Sequence, residues 1–175
     1  MQFYKPTREV RFENWFQVAE FLTNDEVDSL KADLEGQPFQ DSVTINKQND
    51  YRISKHKWIS FQKNGVYDKM WEWANTANDD LWGFESEYGI GGKYDWHLDL
   101  HGEGINHRKV SIIVGMNDEY EGGEVQFRCG RDNQTIPINK GNAILFPSYY
   151  LHRVMPVTKG FRQSLVAWVS GDPYK

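Results

Sequence analysis

Residues 109–129 read KVSIIVGMNDEYEGGEVQFRC, a pattern of two apolar segments around a polar one that predicts β-structure. Two apolar runs, Lys109–Met116 and Glu124–Cys129, flank a polar segment that contains Asn117-Asp118 and Gly122-Gly123. Asn and Asp favour turns through local hydrogen bonds of their side chains, and glycine allows positive φ. The stretch therefore predicts two short strands joined by a sharp turn.

The same pattern fills the second half of the chain after Gly83. Short apolar or alternating runs are separated by glycine-containing turns, a spacing typical of a β-sandwich or barrel. The candidate strands are Phe84–Tyr88, Tyr94–Leu100, Lys109–Met116, Glu124–Cys129, Gln134–Ile138, Ala143–Phe146, His152–Pro156 and Arg162–Ser170.

The first half of the chain carries helix signals instead. Thr23 and Glu26 are spaced as a capping box, which predicts a helix that runs to about Glu35 and stops at Gly36. A second helix is predicted from one apolar face at helical spacing, formed by Tyr67, Met70, Trp71, Ala74, Ala77 and Leu81.

The polar segment Gln40–Lys57 shows almost no periodicity, and we interpret it as a long loop or lid. The chain is thus expected to be mainly β with flanking helices, an α+β arrangement. Its 175 residues fit a single domain.

Composition narrows the class of protein. Net charge is −5 and the isoelectric point is about 5.5, which disfavours a nucleic-acid partner. The chain has no run of 18 apolar residues and no apolar stretch typical of a secretory signal near its start, so we expect no membrane span. Cys129 is the only cysteine, which excludes an internal disulfide and favours a cytoplasmic location.

The histidines suggest a metal site. On a strand, His97 and Asp99 point to the same face, so an imidazole nitrogen and a carboxylate oxygen can reach one cation. A third ligand is needed. His101 is a candidate, but three ligands from one straight strand span about 13 Å, which makes the distant His152 more plausible. Two histidines and one carboxylate form the facial triad of non-haem Fe(II) oxygenases. A hydrogen-bonded His–Asp pair without metal is the alternative.

Arg162 opens an otherwise apolar strand. An arginine at a strand end is most often exposed to solvent. In a site, its guanidinium would hold a carboxylate through two parallel hydrogen bonds. A dicarboxylate could then contact the metal at one end and Arg162 at the other.

Together these elements resemble the Fe(II)- and 2-oxoglutarate-dependent dioxygenases, and within them the prolyl 4-hydroxylase-like group. The resemblance covers residues 88–170. The matching elements, in order, are Tyr88-Gly-Ile-Gly-Gly-Lys-Tyr94, His97-Leu-Asp99, the segment 117–127, Lys140-Gly141-Asn-Ala-Ile-Leu-Phe146, His152 and Arg162-Gln-Ser164.

This resemblance implies a double-stranded β-helix, a cupin-like jelly roll of two facing sheets, over residues 84–175. Residues 1–83 would supply helical support and the lid of the same domain. The resemblance implies that Fe(II) is bound by His97, Asp99 and His152. It implies that 2-oxoglutarate is bound by Arg162, Tyr88 and Ser164. The substrate would contact Tyr94 and Trp168, unless these two are ordinary core aromatics.

One position departs from the family pattern. Some relatives carry a second co-substrate tyrosine where this chain has Gly115. The departure predicts that the co-substrate pocket is wider, or that other groups provide the hydrogen bonds that this tyrosine would make to the co-substrate.

The resemblance further implies an oxygenase that hydroxylates an unactivated C–H bond. Such an enzyme consumes O2 and 2-oxoglutarate, releases succinate and CO2, and is expected to use ascorbate. We expect a procollagen-proline 4-dioxygenase-like hydroxylase acting on a peptide or protein.

Two alternatives remain. One is a dioxygenase for another amino acid, a small molecule or an alkylated base. Base-repair members usually carry two arginines around an asparagine, whereas Arg162 is followed by Gln163-Ser164. The other is a jelly-roll binding module without catalysis, which the joint presence of three ligands and Arg162 disfavours.

Overall fold

The computed structural model describes residues 16–42, 51–59, 65–66, 68–70, 81–100 and 107–172, with only the backbone of residues 16, 81–88 and 129. One helix and fourteen strands have defined bounds in this part of the chain. They are β1 (Phe16–Val18), α1 (Asn24–Asp33), β2 (Gln40–Asp41), β3 (Arg52–Ile53), β4 (Lys55–Trp58), β5 (Leu81–Tyr88), β6 (Lys93–His97), β7 (Arg108–Gly115), β8 (Tyr120–Gly122), β9 (Val125–Cys129), β10 (Asp132–Ile136), β11 (Ala143–Pro147), β12 (His152–Val154), β13 (Val157–Gly160) and β14 (Arg162–Ser170).

The strands form two main antiparallel sheets. The larger has the order β1-β11-β7-β14-β5-β4-β2, and the smaller has the order β10-β9-β12-β6-β3. A short ladder joins β8 and β13. All eight strands predicted from the second half of the sequence are present, seven with shifted ends and β14 with the predicted bounds. The arrangement confirms a mainly β architecture.

Alternation along β7 shows how the layers pack. Ile112 and Val114 belong to an apolar cluster that includes Val27 and Leu30 of α1. Ile113 belongs instead to a cluster of residues from β7, β9, β10 and β11, which therefore fills the space between the two sheets. Because successive strand side chains point to opposite faces, one face of the larger sheet carries the helix and the other carries the interior of the jelly roll.

The capping box of α1 is confirmed. The Thr23 hydroxyl accepts the backbone N–H of Glu26 at 3.2 Å, and the Glu26 carboxylate accepts the backbone N–H of Thr23 at 2.8 Å. These bonds satisfy N–H groups that have no partner within the helix. The helix ends at Asp33, before Gly36 as predicted.

The interpretation of Gln40–Lys57 as a long loop is wrong for its described part. Strands β2, β3 and β4 lie within it or overlap its end, and β4 pairs with β5 over four residues. These strands are short and polar, so their pairing comes from partners elsewhere in the chain rather than from local periodicity. Residues 43–50 lie outside the described part, and the lid role stays a prediction.

The second predicted helix is only partly described. Residues 66 and 68–70 are helical, and Met70 is buried in the same cluster as α1. Tyr67 and residues 71–80 lie outside the described part. Leu81, placed at the end of that helix by its spacing, instead begins β5. None of the described helices is long and apolar enough to cross a lipid bilayer.

Candidate metal and co-substrate site

His97 and His152 lie opposite each other on neighbouring strands of the smaller sheet. Their register in β6 and β12 is direct, and their ring centroids are 4.1 Å apart. Both side chains are almost fully buried. Directly opposed residues of an antiparallel pair share one face, so both imidazoles project into the same interior space.

Asp99 reaches these rings in a way that the sequence did not predict. Strand β6 ends at His97, and the expected strand to Leu100 is wrong. The chain bends, and the Asp99 N–H donates to the Ser148 carbonyl at 3.0 Å. The Asp99 carboxylate still lies 3.5 Å from His97 Nε2 and 3.7 Å from His152 Nε2. One candidate ligand atom from each of the three side chains lies within 4.8 Å of the others.

The tautomers of both histidines follow from their other ring nitrogens. Nδ1 of His97 lies 2.7 Å from the Asp95 carbonyl, and Nδ1 of His152 lies 2.9 Å from the Tyr150 carbonyl. A carbonyl oxygen only accepts, so Nδ1 carries the proton in each ring. In the neutral rings, Nε2 then presents a lone pair toward the carboxylate.

This donor set fits a divalent cation. Two Nε2 lone pairs and a carboxylate converge with no proton between them, which is unfavourable unless a positive charge lies among them. Nδ1–H bonds to carbonyls are also the usual way in which proteins orient metal-binding imidazoles. Two histidines and one carboxylate suit iron and leave coordination positions open.

The electrostatics set the protonation states of His152 and Asp99. Burial lowers the pKa of His152 to about 4, although Asp99 and the Tyr150 carbonyl partly oppose the shift. Burial raises the pKa of Asp99, but His152, His97 and the Ser111 hydroxyl outweigh it and hold that pKa well below its usual range. At neutral pH, His152 is therefore neutral and Asp99 is ionised.

Two buried serines support the carboxylate. Ser111 Oγ donates to Asp99 Oδ2 at 2.6 Å, and it lies 3.0 Å from Ser148 Oγ. The sequence reasoning missed both residues. A signal existed for Ser111, because it is the polar residue in the apolar run of β7. A polar group at an interior strand position needs a buried partner.

Aromatic rings enclose the cluster. Tyr94 is stacked on His97 with centroids 3.4 Å apart and planes at 12°. Phe146 meets His152 edge-on at 4.7 Å. Tyr94 is half-buried, whereas Phe127 and Phe146 belong to the core between the sheets. Tyr94 thus lies beside the cluster, and its role as a pocket wall stays a prediction.

Arg162 is buried in the interior rather than exposed at a strand end. Its relative exposure is 2%, and its Nη1 donates to Ser164 Oγ at 2.9 Å. Both residues lie on the face of β14 that also carries Val166, which packs against the core between the sheets. The backbone of Tyr88 is paired with Arg162, but the Tyr88 side chain lies outside what the structure describes.

Trp168 lies on the same face of β14, farther along the strand. It is buried, and the guanidinium carbon of Arg108 stands 3.5 Å from its ring centroid. Arg108 Nη1 is also 3.5 Å from the Asp99 carbonyl, a long hydrogen bond. Nε of Arg108 is buried without a hydrogen-bond partner among the described residues. The sequence reasoning missed Arg108. His101 lies outside the described residues.

The missing side chain of Gly115 does not leave free space in the pocket. A Cβ placed on it would lie 2.3 Å from the Asn139 carbonyl oxygen and 2.8 Å from the carbonyl carbon of the same residue. Backbone therefore occupies the side-chain space, and Gly115 allows two chain segments to approach closely. Gly115 therefore adds no space at this position, and the alternative, a co-substrate held by other groups, stays a prediction.

Asn117 and Asp118 were predicted to form local turn hydrogen bonds, and this is also wrong. The Asp118 carboxylate accepts the backbone N–H of Lys140 at 2.6 Å. The Asn117 amide bonds to the backbone of Phe161 and Gln163. Both side chains tie distant segments together.

Comparisons with known proteins agree with this geometry. A profile of the 2OG-Fe(II) oxygenase superfamily matches residues 85–170. A PKHD-type hydroxylase of Thermosynechococcus vestitus is 29% identical over 174 residues, covering 87% of this chain and 76% of the relative.

Solved structures show the same fold. A prolyl-4-hydroxylase of Pseudomonas putida superimposes with a TM-score of 0.74 at 20% identity, over 91% of this chain and 93% of that one. A prolyl hydroxylase of Trichoplax adhaerens, in complex with a peptide fragment of the hypoxia inducible factor oxygen degradation domain, gives a TM-score of 0.75 at 16% identity, over 91% and 84%. The predicted double-stranded β-helix is confirmed.

Proposed function

Since the chain belongs to the 2OG-Fe(II) oxygenase superfamily, we propose that it hydroxylates a prolyl residue of a peptide or protein. In the overall reaction, one atom of O2 enters the C–H bond of the substrate as hydroxyl. The other enters succinate as 2-oxoglutarate loses CO2. The observation that carries the proposal is the convergence of His97, Asp99 and His152 inside the same jelly roll that buries Arg162.

The three clustered side chains are the proposed Fe(II) ligands. When bound, iron supplies the activation of O2 that the protein's own side chains lack. His97 and His152 offer Nε2 because their Nδ1 protons are engaged by backbone carbonyls. Asp99 offers its carboxylate, whose Oδ2 is oriented by Ser111.

Arg162 is the proposed partner of the distal carboxylate of 2-oxoglutarate. A guanidinium can donate two parallel hydrogen bonds to a carboxylate, and burial strengthens such bonds. Ser164 lies against Arg162 Nη1 and is proposed to share that carboxylate or to orient the guanidinium. Tyr88, backbone-paired with Arg162, is proposed as a further donor.

Tyr94 and Trp168 are the proposed walls of the substrate pocket. Tyr94 lies beside the His97 ring, and Trp168 lies under Arg108, which also contacts Asp99. The peptide bound to the T. adhaerens prolyl hydroxylase supports a peptidyl-prolyl substrate for this chain, and the T. vestitus relative, a PKHD-type hydroxylase, supports a hydroxylation reaction.

The proposal includes three finer points. Ascorbate would keep the iron reduced between turnovers, the enzyme would act in the cytoplasm, and residues 1–175 would work as one domain. The single cysteine, Cys129, cannot form an internal disulfide, and this supports the proposed cytoplasmic location.

The test is 2-oxoglutarate turnover by the purified chain with Fe(II), O2 and ascorbate, with and without proline-rich peptides. Succinate is measured together with the mass gain of one oxygen atom on the peptide. His152→Ala should abolish both, whereas His56→Ala, which removes a histidine of β4, should retain both. Succinate without any modified peptide would redirect the search to free amino acids, small molecules or alkylated bases. Bound metal and 2-oxoglutarate with no turnover on any substrate would contradict an enzymatic role.

A further inference from the structure

Asn117 forms two hydrogen bonds that bracket Arg162. It lies just beyond the end of β7 and is buried. Its Nδ2 donates to the Phe161 carbonyl at 2.8 Å, and its Oδ1 accepts the Gln163 N–H at 2.8 Å. The two backbone groups belong to the residues immediately before and after Arg162.

These bonds extend the β-ladder beyond its last backbone rung. Strands β7 and β14 pair up to Ser164 and Gly115, and the Met116 N–H then donates to the Gln163 carbonyl at 3.0 Å. The polar backbone groups of residues 161 and 163 face the same edge of β14, because alternate residues share an edge. The Asn117 amide therefore takes the place of the next peptide group of β7.

Arg162 is consequently held along both edges at the first position of its strand. Its own backbone pairs with Tyr88 of β5 on one edge, and Asn117 holds the neighbouring residues on the other. Without Asn117, the start of β14 would lose two of its hydrogen bonds on the β7 side and keep the one from the Met116 N–H to the Gln163 carbonyl. Strand ends that lack such bonds fray.

The side chain of Arg162 is also guided. Gly123 has φ of 71°, and a Cβ there would lie only 2.8 Å from Arg162 Cδ. The arginine stem therefore runs against the Cα of Gly123, in space that another residue would fill. Its Nη1 ends on Ser164 Oγ. A bidentate contact with a carboxylate depends on this direction, since its geometry is specific.

We infer that Asn117 is a positioning residue that sets selectivity for a 2-oxo acid with a second carboxylate. The inference rests on the proposed function, in which Arg162 binds that carboxylate. In this inference Asn117 acts through the backbone on either side of Arg162 and not by contact with the co-substrate. Its loss should weaken recognition of the distal carboxylate and leave the metal cluster unchanged.

The experiment compares Asn117→Ala with the unmutated chain, both loaded with Ni(II) in place of iron. Calorimetry gives the affinities for 2-oxoglutarate and for 2-oxopentanoate, which has the same chain length but no distal carboxylate. We expect the variant to bind 2-oxoglutarate about tenfold more weakly, as for loss of the orientation of a charged hydrogen bond. Affinities for 2-oxopentanoate and Ni(II) should be unchanged.

Asn142→Ala is the matched control. Asn142 Oδ1 also accepts a backbone N–H from a distant part of the chain, that of Glu20 at 3.0 Å. Neither Asn142 nor Glu20 is close to Arg162 in sequence. It should leave the preference for 2-oxoglutarate intact. If Asn117→Ala does not fold, Asn117→Ser provides a milder loss of the same two bonds.

A second readout separates this inference from the proposed function. Hydrogen exchange of the Gln163 amide, measured without co-substrate, should accelerate in the Asn117 variant but not in the Asn142 variant. If the unmutated chain binds no 2-oxoglutarate, the proposed function fails. If hydrogen exchange at Gln163 is also unchanged in the Asn117 variant, the proposed stabilisation of the start of β14 by Asn117 fails as well. A folded Asn117 variant that keeps the full preference of the unmutated chain for 2-oxoglutarate over 2-oxopentanoate would overturn the positioning role alone.

Discussion

His97 and His152 are related by the same local geometry on two paired strands. Each donates its Nδ1 proton to the backbone carbonyl two residues earlier, Asp95 in one case and Tyr150 in the other. Because the rings are opposite each other in register, both Nε2 atoms face the Asp99 carboxylate. The backbone thus fixes both tautomers before any metal arrives, and the ligand set is preorganised.

Replacing His152 with Ala should remove metal binding. The variant loses one of three convergent ligands, and even the loss of a partner behind a ligand typically costs about 10–100-fold in affinity. We expect a loss of more than about 100-fold in Co(II) affinity, read from visible absorption. His56→Ala should keep the affinity of the unmutated chain. Equal Co(II) affinity in the His152 variant would mean that the three side chains are not the ligands.

Removing the metal should lower thermal stability. A ligand present at about 100 times its dissociation constant stabilises the native state by about 2.7 kcal/mol. For a chain of this size that corresponds to a rise in Tm of about 5–10 °C. Calorimetric scans with Mn(II) and after chelation test this. The difference should vanish in His152→Ala, and a shift that persists there would place the stabilising metal elsewhere.

Local sequence patterns predicted the elements whose formation depends mainly on residues that are neighbours in sequence. The capping box of α1 and the long apolar strand β14 are of this kind. The short polar strands β2, β3 and β4 escaped prediction because their partners are distant. The three proposed metal ligands were predicted from spacing and resemblance. The bend that actually brings Asp99 to the histidines depends on Ser148, which no local signal links to it.

Ser111→Ala should weaken metal binding without abolishing it. The mutation removes the 2.6 Å hydrogen bond to Asp99 Oδ2 and leaves that buried oxygen less well satisfied. We expect Co(II) affinity to fall about tenfold. Ser148→Ala is the comparison, since the Ser148 hydroxyl contacts Ser111 rather than the carboxylate. Its effect should be smaller, and the reverse order would assign the supporting role to Ser148.

Arg162→Lys should impair recognition of 2-oxoglutarate although it keeps the positive charge. An ammonium cannot reproduce the planar fork, and its charged hydrogen bonds would be poorly aligned. We expect the KM for 2-oxoglutarate to rise about 10–100-fold while Co(II) affinity stays the same. Arg153→Lys provides the control, because Arg153 stacks on Trp96 and bonds to Gln126. An unchanged KM in Arg162→Lys would remove Arg162 from the co-substrate site.

Gly115→Ala should destabilise the fold rather than reshape the pocket. The new methyl group would meet the Asn139 carbonyl oxygen at 2.3 Å, and the obstruction is backbone, which cannot move aside as a side chain can. We expect a loss of about 1–3 kcal/mol in the free energy of unfolding, measured in urea. Gly89→Ala is matched to it, since neither glycine has positive φ and the space around Gly89 is open. That control should be neutral or slightly stabilising, because alanine restricts the unfolded chain. A stable Gly115→Ala protein with altered affinity for 2-oxoglutarate would instead restore the view that this glycine widens the pocket.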